Sequence, residues 1–310
     1  MKNRIKHLVT GGAGFLGSHL IDNLMEKGDY VICLDNLSTG DRKNINKWIG
    51  NNSFMFLEQD ITNLNYVNVD FVWHLASTAS PFKYSKNPIE CSHTNFLGTL
   101  NALKIAQKSK AKFIFTSSSE IYGFTKKFPQ EEKDWGKVNP HGVRSCYVEG
   151  KRIAESLTFD FKRTYGLDIC VARIFNSYGP RMRKYDGRAV SEFIFNALKN
   201  NNLTIFGDGK QTRSFCYVDD TINGLLKLAN KNITGPVNIG SKEEISINQL
   251  AEKIIQKIKN KSKIIYAKAK KDEPIRRLPS IDLMRDLCEW RPLINLDDGL
   301  EKTIKALKTY

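Results

Sequence analysis

The 310 residues are 41% hydrophobic and 26% charged, with a formal net charge of +15 at pH 7; this is the balance of a water-soluble globular protein with room for one large domain and a smaller one. No stretch approaches the ~18 apolar residues of a membrane span, and Cys33, Cys91, Cys146, Cys170, Cys216 and Cys288 fall in no spacing that suggests a zinc site, another metal centre or a disulfide framework. Positive charge suits nucleic acid, a membrane surface or an anionic small substrate, but no nucleic-acid-binding motif accompanies the lysines, so a solvated basic surface is expected, with neither nucleic acid nor membrane as partner.

Met1-Lys-Asn-Arg-Ile-Lys leads straight into an apolar run over residues 5–10, which leaves no room for a cleavable signal and makes the cytoplasm the expected compartment. Gly11-Gly-Ala-Gly14-Phe15-Leu16-Gly17 follows and opens an amphipathic stretch ending near Gly28. Gly11 permits a tight turn, Gly14 lets backbone N–H groups approach a pyrophosphate at the helix N-terminus, and Gly17 allows close helix–sheet packing. A second run, residues 30–34, ends in Asp35, whose carboxylate can accept hydrogen bonds from the adenine ribose and so select NAD over its 2′-phosphorylated form. The turn Asn36-Leu-Ser38-Thr39-Gly40 can wrap the ribose, and a third strand over 54–57 runs into Asp60-Ile61, placed to flank the adenine.

The next apolar run, 69–75, ends in Leu75-Ala76-Ser77 at the cofactor side of the sheet; His74 within it is expected to be a satisfied core residue. Residues 88–109 read as a helix beginning after Pro88, with Thr94 and Asn101 facing the cleft. A β run over 112–116 ends at Thr116, and Ser117-Ser118-Ser119-Glu120 follows where open α/β sheets place ligands. Ser118 can hydrogen-bond a reacting hydroxyl there and Glu120 can present a carboxylate.

Ser145-Cys-Tyr147-Val-Glu-Gly-Lys151 puts a phenol and an ammonium on one helical face, one turn apart. An ordinary tyrosine has a pKa of roughly 10, so ionising it near neutrality needs about 4 kcal/mol, much of which Lys151 is expected to supply, with a nicotinamide cation bound alongside adding to the effect. A strand over 167–173 completes the alternation, so residues 1–175 are expected to form an NAD-binding Rossmann domain, an α/β doubly wound parallel sheet. Residues 176–310 read as a smaller mixed α/β C-terminal substrate lobe, with the chain crossing back between lobes. Its arginines, Arg181, Arg183, Arg188, Arg213, Arg276 and Arg277, are natural partners for a diphosphate and a carboxylate.

TGGAGFLGSH, TSSSEIYG and YVEGK together resemble the extended short-chain dehydrogenase/reductase family of nucleotide-sugar enzymes. RIFNSYGPRM, DGRAVSEFI, LTIFGDGKQTRSFCYVDD and PVNIGS carry the likeness through the second lobe, in the order found in UDP-glucuronate decarboxylases (UDP-xylose synthases). The resemblance implies that Tyr147 deprotonates the sugar 4-hydroxyl while NAD takes the hydride, that the resulting β-keto acid loses carbon dioxide, and that returned hydride gives UDP-xylose. It also implies catalytic roles for Lys151, Ser118, Ser119, Glu120 and Arg277, and substrate contacts from Asn101, Asn176, Arg188, Phe206, Gln211 and Arg213. A homodimer is expected from the family, through the helices near 88–109 and 147–165.

Two relatives within the class remain open as alternatives. A 4,6-dehydratase normally carries Asp-Glu where this chain has Ser119-Glu120, and a 4-epimerase normally lacks the glutamate. A non-catalytic NAD-binding regulatory or nucleic-acid-associated protein is the alternative outside it. His93, Val148, Glu192, Thr78 and Ser280 depart from the decarboxylase pattern; Glu192 would repel an anionic substrate unless it points away.

Overall fold

The computed structural model describes residues 4–269 and 271–308; the leading Met1-Lys-Asn lies outside the described residues. Seven parallel strands make the central sheet: β1 (Lys6–Thr10), β2 (Tyr30–Asp35), β3 (Phe54–Glu58), β4 (Phe71–His74), β5 (Lys112–Ser118), β6 (Ile169–Ile174) and β7 (Val237–Ile239). Their spatial order is β7-β6-β5-β4-β1-β2-β3, so the chain reverses direction across the sheet between β1 and β4. A reversal of this kind leaves a crevice beyond the strand C-termini, the usual ligand position in open α/β sheets.

Successive side chains on a strand point to opposite faces, and the apolar runs of this chain supply both. Val9, Val31, Cys33, Ile114, Cys170 and Ala172 pack into one buried cluster, while Leu8, Ile32, Leu34, Phe113, Phe115 and Val171 pack into another. Each face therefore needs its own layer of helices, which is why these strands read as continuous apolar stretches. The first cluster continues without a break into Phe193, Leu225, Ile254 and Leu300, on helices of the second lobe.

One expectation needs correction. The strand at 169–174 does not close the sheet; β7 pairs with it in register, Val237 with Ala172 and Ile239 with Ile174, after more than sixty intervening residues of the second lobe. Among the described residues the remaining lobe is built from small sheets around five helices, and its strand Thr212–Ser214 lies between Glu244–Ser246 and Arg276–Arg277. The span 88–109 is helical throughout, but with a π-helical turn over Thr94–Gly98.

Candidate active site

A cavity of about 650 Å³ opens beyond the C-terminal ends of the strands and runs between the sheet and the second lobe. Gly11, Gly14, Phe15, Leu16 and Gly17 form one end of it, and Asp35, Asn36, Ser38, Thr39, Gly40, Asp60 and Ile61 form a rim. Leu75, Ala76, Ser77, Thr94 and Thr116 line the middle, and Ser118, Ser119, Glu120, Tyr147 and Lys151 gather at the far wall.

The glycine end fits a dinucleotide. Gly11 has φ +69°, and a Cβ there would stand 2.8 Å from the Ala76 amide nitrogen; a Cβ on Gly17 would stand 2.2 Å from the Gly11 carbonyl. Helix and turn are thus in backbone contact, which only glycine allows. The Phe15–Glu26 helix has neither a side-chain cap nor an acidic residue in its first turn, so its leading N–H groups are left to an anion. Asp35 is fixed by the amides of Ala13 at 3.0 Å and Leu37 at 2.8 Å. Burial raises its carboxyl above the ordinary range despite the amides of Leu37, Ala13 and Gly14, and hydroxyl donors from a ribose would favour the ionised form.

At the far wall the Ser145–Tyr165 helix carries Tyr147 and Lys151 inward. Both are buried, at 8% and 3% exposure. The Lys151 ammonium donates to the Thr116 carbonyl at 2.9 Å and sits 5.0 Å from the Phe115 ring centre. Burial pulls it down to about 8. Burial likewise pushes the Tyr147 phenol up to about 12, opposed by a hydrogen bond with Ser118 and by Arg188. In the protein alone desolvation outweighs the nearby charges on the phenol; a nicotinamide cation bound alongside would act in the opposite direction.

Glu120 lies behind this pair. Burial would raise its carboxyl, but Arg277, Arg144 and Arg213 together hold it below the ordinary range. Arg144 Nη2 stands 2.8 Å and Arg277 Nη2 3.3 Å from Glu120 Oε2. Ser118 Oγ accepts from the Glu120 amide at 3.2 Å and so starts the short helical turn that aims the carboxylate.

The substrate residues divide. Asn176, Arg188 and Arg213 line the cavity. Asn101 does not: its Nδ2 donates to the carbonyls of Ile61 at 2.6 Å and Leu64 at 3.1 Å, and so braces the adenine end from outside. Arg277 also lies off the main cavity, 1% exposed, anchored to the Gly123 carbonyl and reaching only Glu120. Phe206 and Gln211 lie outside the cavity wall, the Gln211 amide donating to the Phe206 carbonyl at 2.8 Å. Glu192 turns to the Gly187 amide at 3.0 Å and is absent from the wall. His74 is held by Thr10 at 2.8 Å and Thr99 at 3.0 Å, a satisfied core residue.

Two wall residues carried no sequence signal. Arg144 ends a loop and looks like any basic residue before a helix, yet it touches Glu120 and leaves its own Nε buried without a partner. Tyr84 stacks on Tyr147 with ring centres 5.5 Å apart and planes 8° from parallel. Among the described residues no cluster of His, Cys, Asp or Glu is arranged to hold a metal ion, and no helix is long and apolar enough to cross a membrane.

The profile of the NAD dependent epimerase/dehydratase family matches residues 7–240. UDP-glucuronic acid decarboxylase 1 of Xenopus tropicalis is 46% identical over 303 residues, covering 98% of this chain and 72% of that protein. UDP-glucuronic acid decarboxylase 6 of Arabidopsis thaliana is 46% identical over 300 residues, covering 96% and 88%. The crystal structure of UDP-glucuronic acid 4-epimerase from Bacillus cereus, in complex with UDP-glucuronic acid and NAD, superposes with a TM-score of 0.90 at 30% identity, covering 98% of this chain and 99% of that one. With the fold in agreement with these likenesses, the chain belongs to the NAD dependent epimerase/dehydratase family.

Proposed function

We propose that this enzyme decarboxylates UDP-glucuronate to UDP-xylose, with NAD regenerated in each turnover. When bound, NAD supplies a cationic hydride acceptor that takes one hydride and later returns it. Gly11, Gly14 and Gly17 would hold its pyrophosphate and Asp35 its ribose. Tyr147 takes the proton of the sugar 4-hydroxyl, with Ser118 sharing the hydrogen bond; Lys151 fixes the tyrosine face of the helix through Thr116. Arg213 and Arg188 supply guanidinium charge for the diphosphate, and Asn176 an amide beside them.

The observation that carries the decarboxylase reading is Glu120, held as an anion by Arg144 and Arg277 at the wall that also bears Tyr147. Loss of carbon dioxide breaks the bond between carbons 5 and 6 and leaves its electron pair as a 4-enolate, so negative charge moves away from the fixed Glu120 carboxylate; protonation at carbon 5 precedes the return of hydride. Ser119, in place of the acid a dehydratase needs, leaves no carboxylic donor next to Glu120 to expel a hydroxyl as water. A cytoplasmic homodimer completes the proposal. Exposed Ile89, Phe96, Leu97 and Ile153 lie on the adjoining 88–109 and 145–165 helices, and a second copy would cover them. The test is carbon dioxide release from UDP-glucuronate, with the product identified by mass. Tyr147→Phe should abolish it; a product keeping all six sugar carbons would refute the reaction, and full turnover by Tyr147→Phe would refute the mechanism.

A further inference from the structure

Cys91 and Cys146 have no part in the chemistry above, yet both pack into the small buried cluster that holds Tyr84 and Tyr147. Cys91 lies on the helix Pro88–His93, Cys146 in the first turn of the Ser145–Tyr165 helix. The two helices meet so closely at Gly150 that a Cβ there would fall 2.9 Å from the Asn95 Cβ. One helical turn earlier on each, the facing residues are the two cysteines. Cys146 Sγ donates to the Tyr84 carbonyl and Cys91 Sγ to the Thr78 carbonyl, each at 3.8 Å, and Asn95 Nδ2 donates to Cys91 Sγ at 3.4 Å, so both sulfurs are fixed in place. Cys91 is fully buried and Cys146 half-buried, leaving Cys146 the one a solute can reach.

We propose that Cys91 and Cys146 are a disulfide-forming pair through which a peroxide slows the enzyme reversibly. With Cys91 beside it and backbone N–H groups at the start of its helix, the Cys146 thiol is held below its ordinary range, which favours the nucleophilic thiolate. The Cys146 sulfur attacks a peroxide oxygen and breaks the O–O bond, giving a sulfenic acid and releasing hydroxide that is protonated to water. The Cys91 sulfur then attacks that sulfur, forms the S–S bond and expels a second hydroxide, which leaves as water with the Cys91 proton. Two thiols lose two protons and two electrons, and one peroxide becomes two waters.

The new bond draws the first turn of the tyrosine helix toward Cys91. Tyr147 is the next residue after Cys146, and Tyr84, stacked on it, takes the Cys146 hydrogen bond. Displacing a reacting phenol by about 1 Å is enough to cost between tenfold and a hundredfold in turnover.

The test treats the NAD-loaded protein with stoichiometric hydrogen peroxide, alkylates the remaining thiols, and reads intact mass, peptide map and turnover. The expected result is loss of the mass of two hydrogens, a linked Cys91–Cys146 peptide, and turnover reduced at least about tenfold and restored by dithiothreitol. Cys91→Ser should keep the untreated turnover and form no linked peptide; Cys91→Ala serves if serine is poorly accepted in the apolar pocket. Consumed thiols without the linked peptide would overturn the proposal, as would a linked peptide with unchanged turnover. The turnover readout rests on the decarboxylase reading, whereas the linked peptide stands whatever the substrate.

Discussion

Replacing Lys151 with methionine separates the cost of a buried charge from its use. Lys151 is 3% exposed, and burial lowers its ammonium from 10.5 to about 8. At pH 7 it is charged in both folded and unfolded chains, so the folded state bears a penalty of about 3 kcal/mol. Between the two values the folded chain gives up the proton first, the unfolded chain holds more protons, and stability from this group rises with pH. Lys151→Met removes the charge and fills similar space, but takes a donor from the Thr116 carbonyl at 2.9 Å, a loss of about 1–2 kcal/mol. Cofactor-free Lys151→Met should therefore be more stable than the parent by about 1–2 kcal/mol at pH 7, an advantage shrinking by about 2 kcal/mol by about pH 9.5. Turnover should fall by about 10³ or more. Urea unfolding at the two pH values gives the midpoints; a variant less stable at pH 7, or a difference that ignores pH, would refute the reasoning.

Gly17→Ala puts a Cβ 2.2 Å from the Gly11 carbonyl, backbone against backbone, and should cost about 2 kcal/mol or more together with the NAD that co-purifies, read by ultraviolet absorbance. Arg144→Met leaves Glu120 with Arg277 as its remaining close partner and should lower turnover by about 10–100-fold with little change in melting temperature, since the pair is one-fifth exposed on each side. Glu120 is held below the ordinary carboxyl range, so its stabilising contribution is present above the unfolded value of about 4.3 and lost as pH falls through the folded one; Glu120→Gln should flatten the acid limb of an unfolding titration. Glu155 accepts from Arg173 at 2.6 Å and from Ser117 at 2.6 Å in the core, and Glu155→Ala, which strands the buried guanidinium, should cost about 3–5 kcal/mol by chemical denaturation.

What the sequence disclosed was local. Gly11, Gly14 and Gly17 are spaced by the geometry of a single turn, Asp35 ends its own strand, and Tyr147 and Lys151 are related by one helical repeat. Each relation lies within a few residues, and the backbone rules that produce it can be read in one dimension. What stayed hidden depended on distance along the chain. Arg144 gains its meaning from Glu120 across a loop, and Arg277 is not a wall residue because Glu120 stands between it and the cavity. Asn101 faces the right side of its helix but meets the carbonyls of Ile61 and Leu64 before it meets any cleft. Burial, the largest influence on the Tyr147 phenol, is a property of the folded whole and has no local signal. Val237–Ile239 is too short and too far from β6 to announce itself as a strand of the same sheet.

That late strand has a bearing on synthesis. When a nascent chain has delivered residues as far as β6, the outer margin of β6 still offers a row of open amides and carbonyls to any passing polypeptide. Only when residues 237–239 emerge, after most of the second lobe, is that margin covered. A ribosome stalled near residue 175 would release a half-made product prone to clumping, and a gene cut there would yield two pieces that each lack what the other keeps soluble.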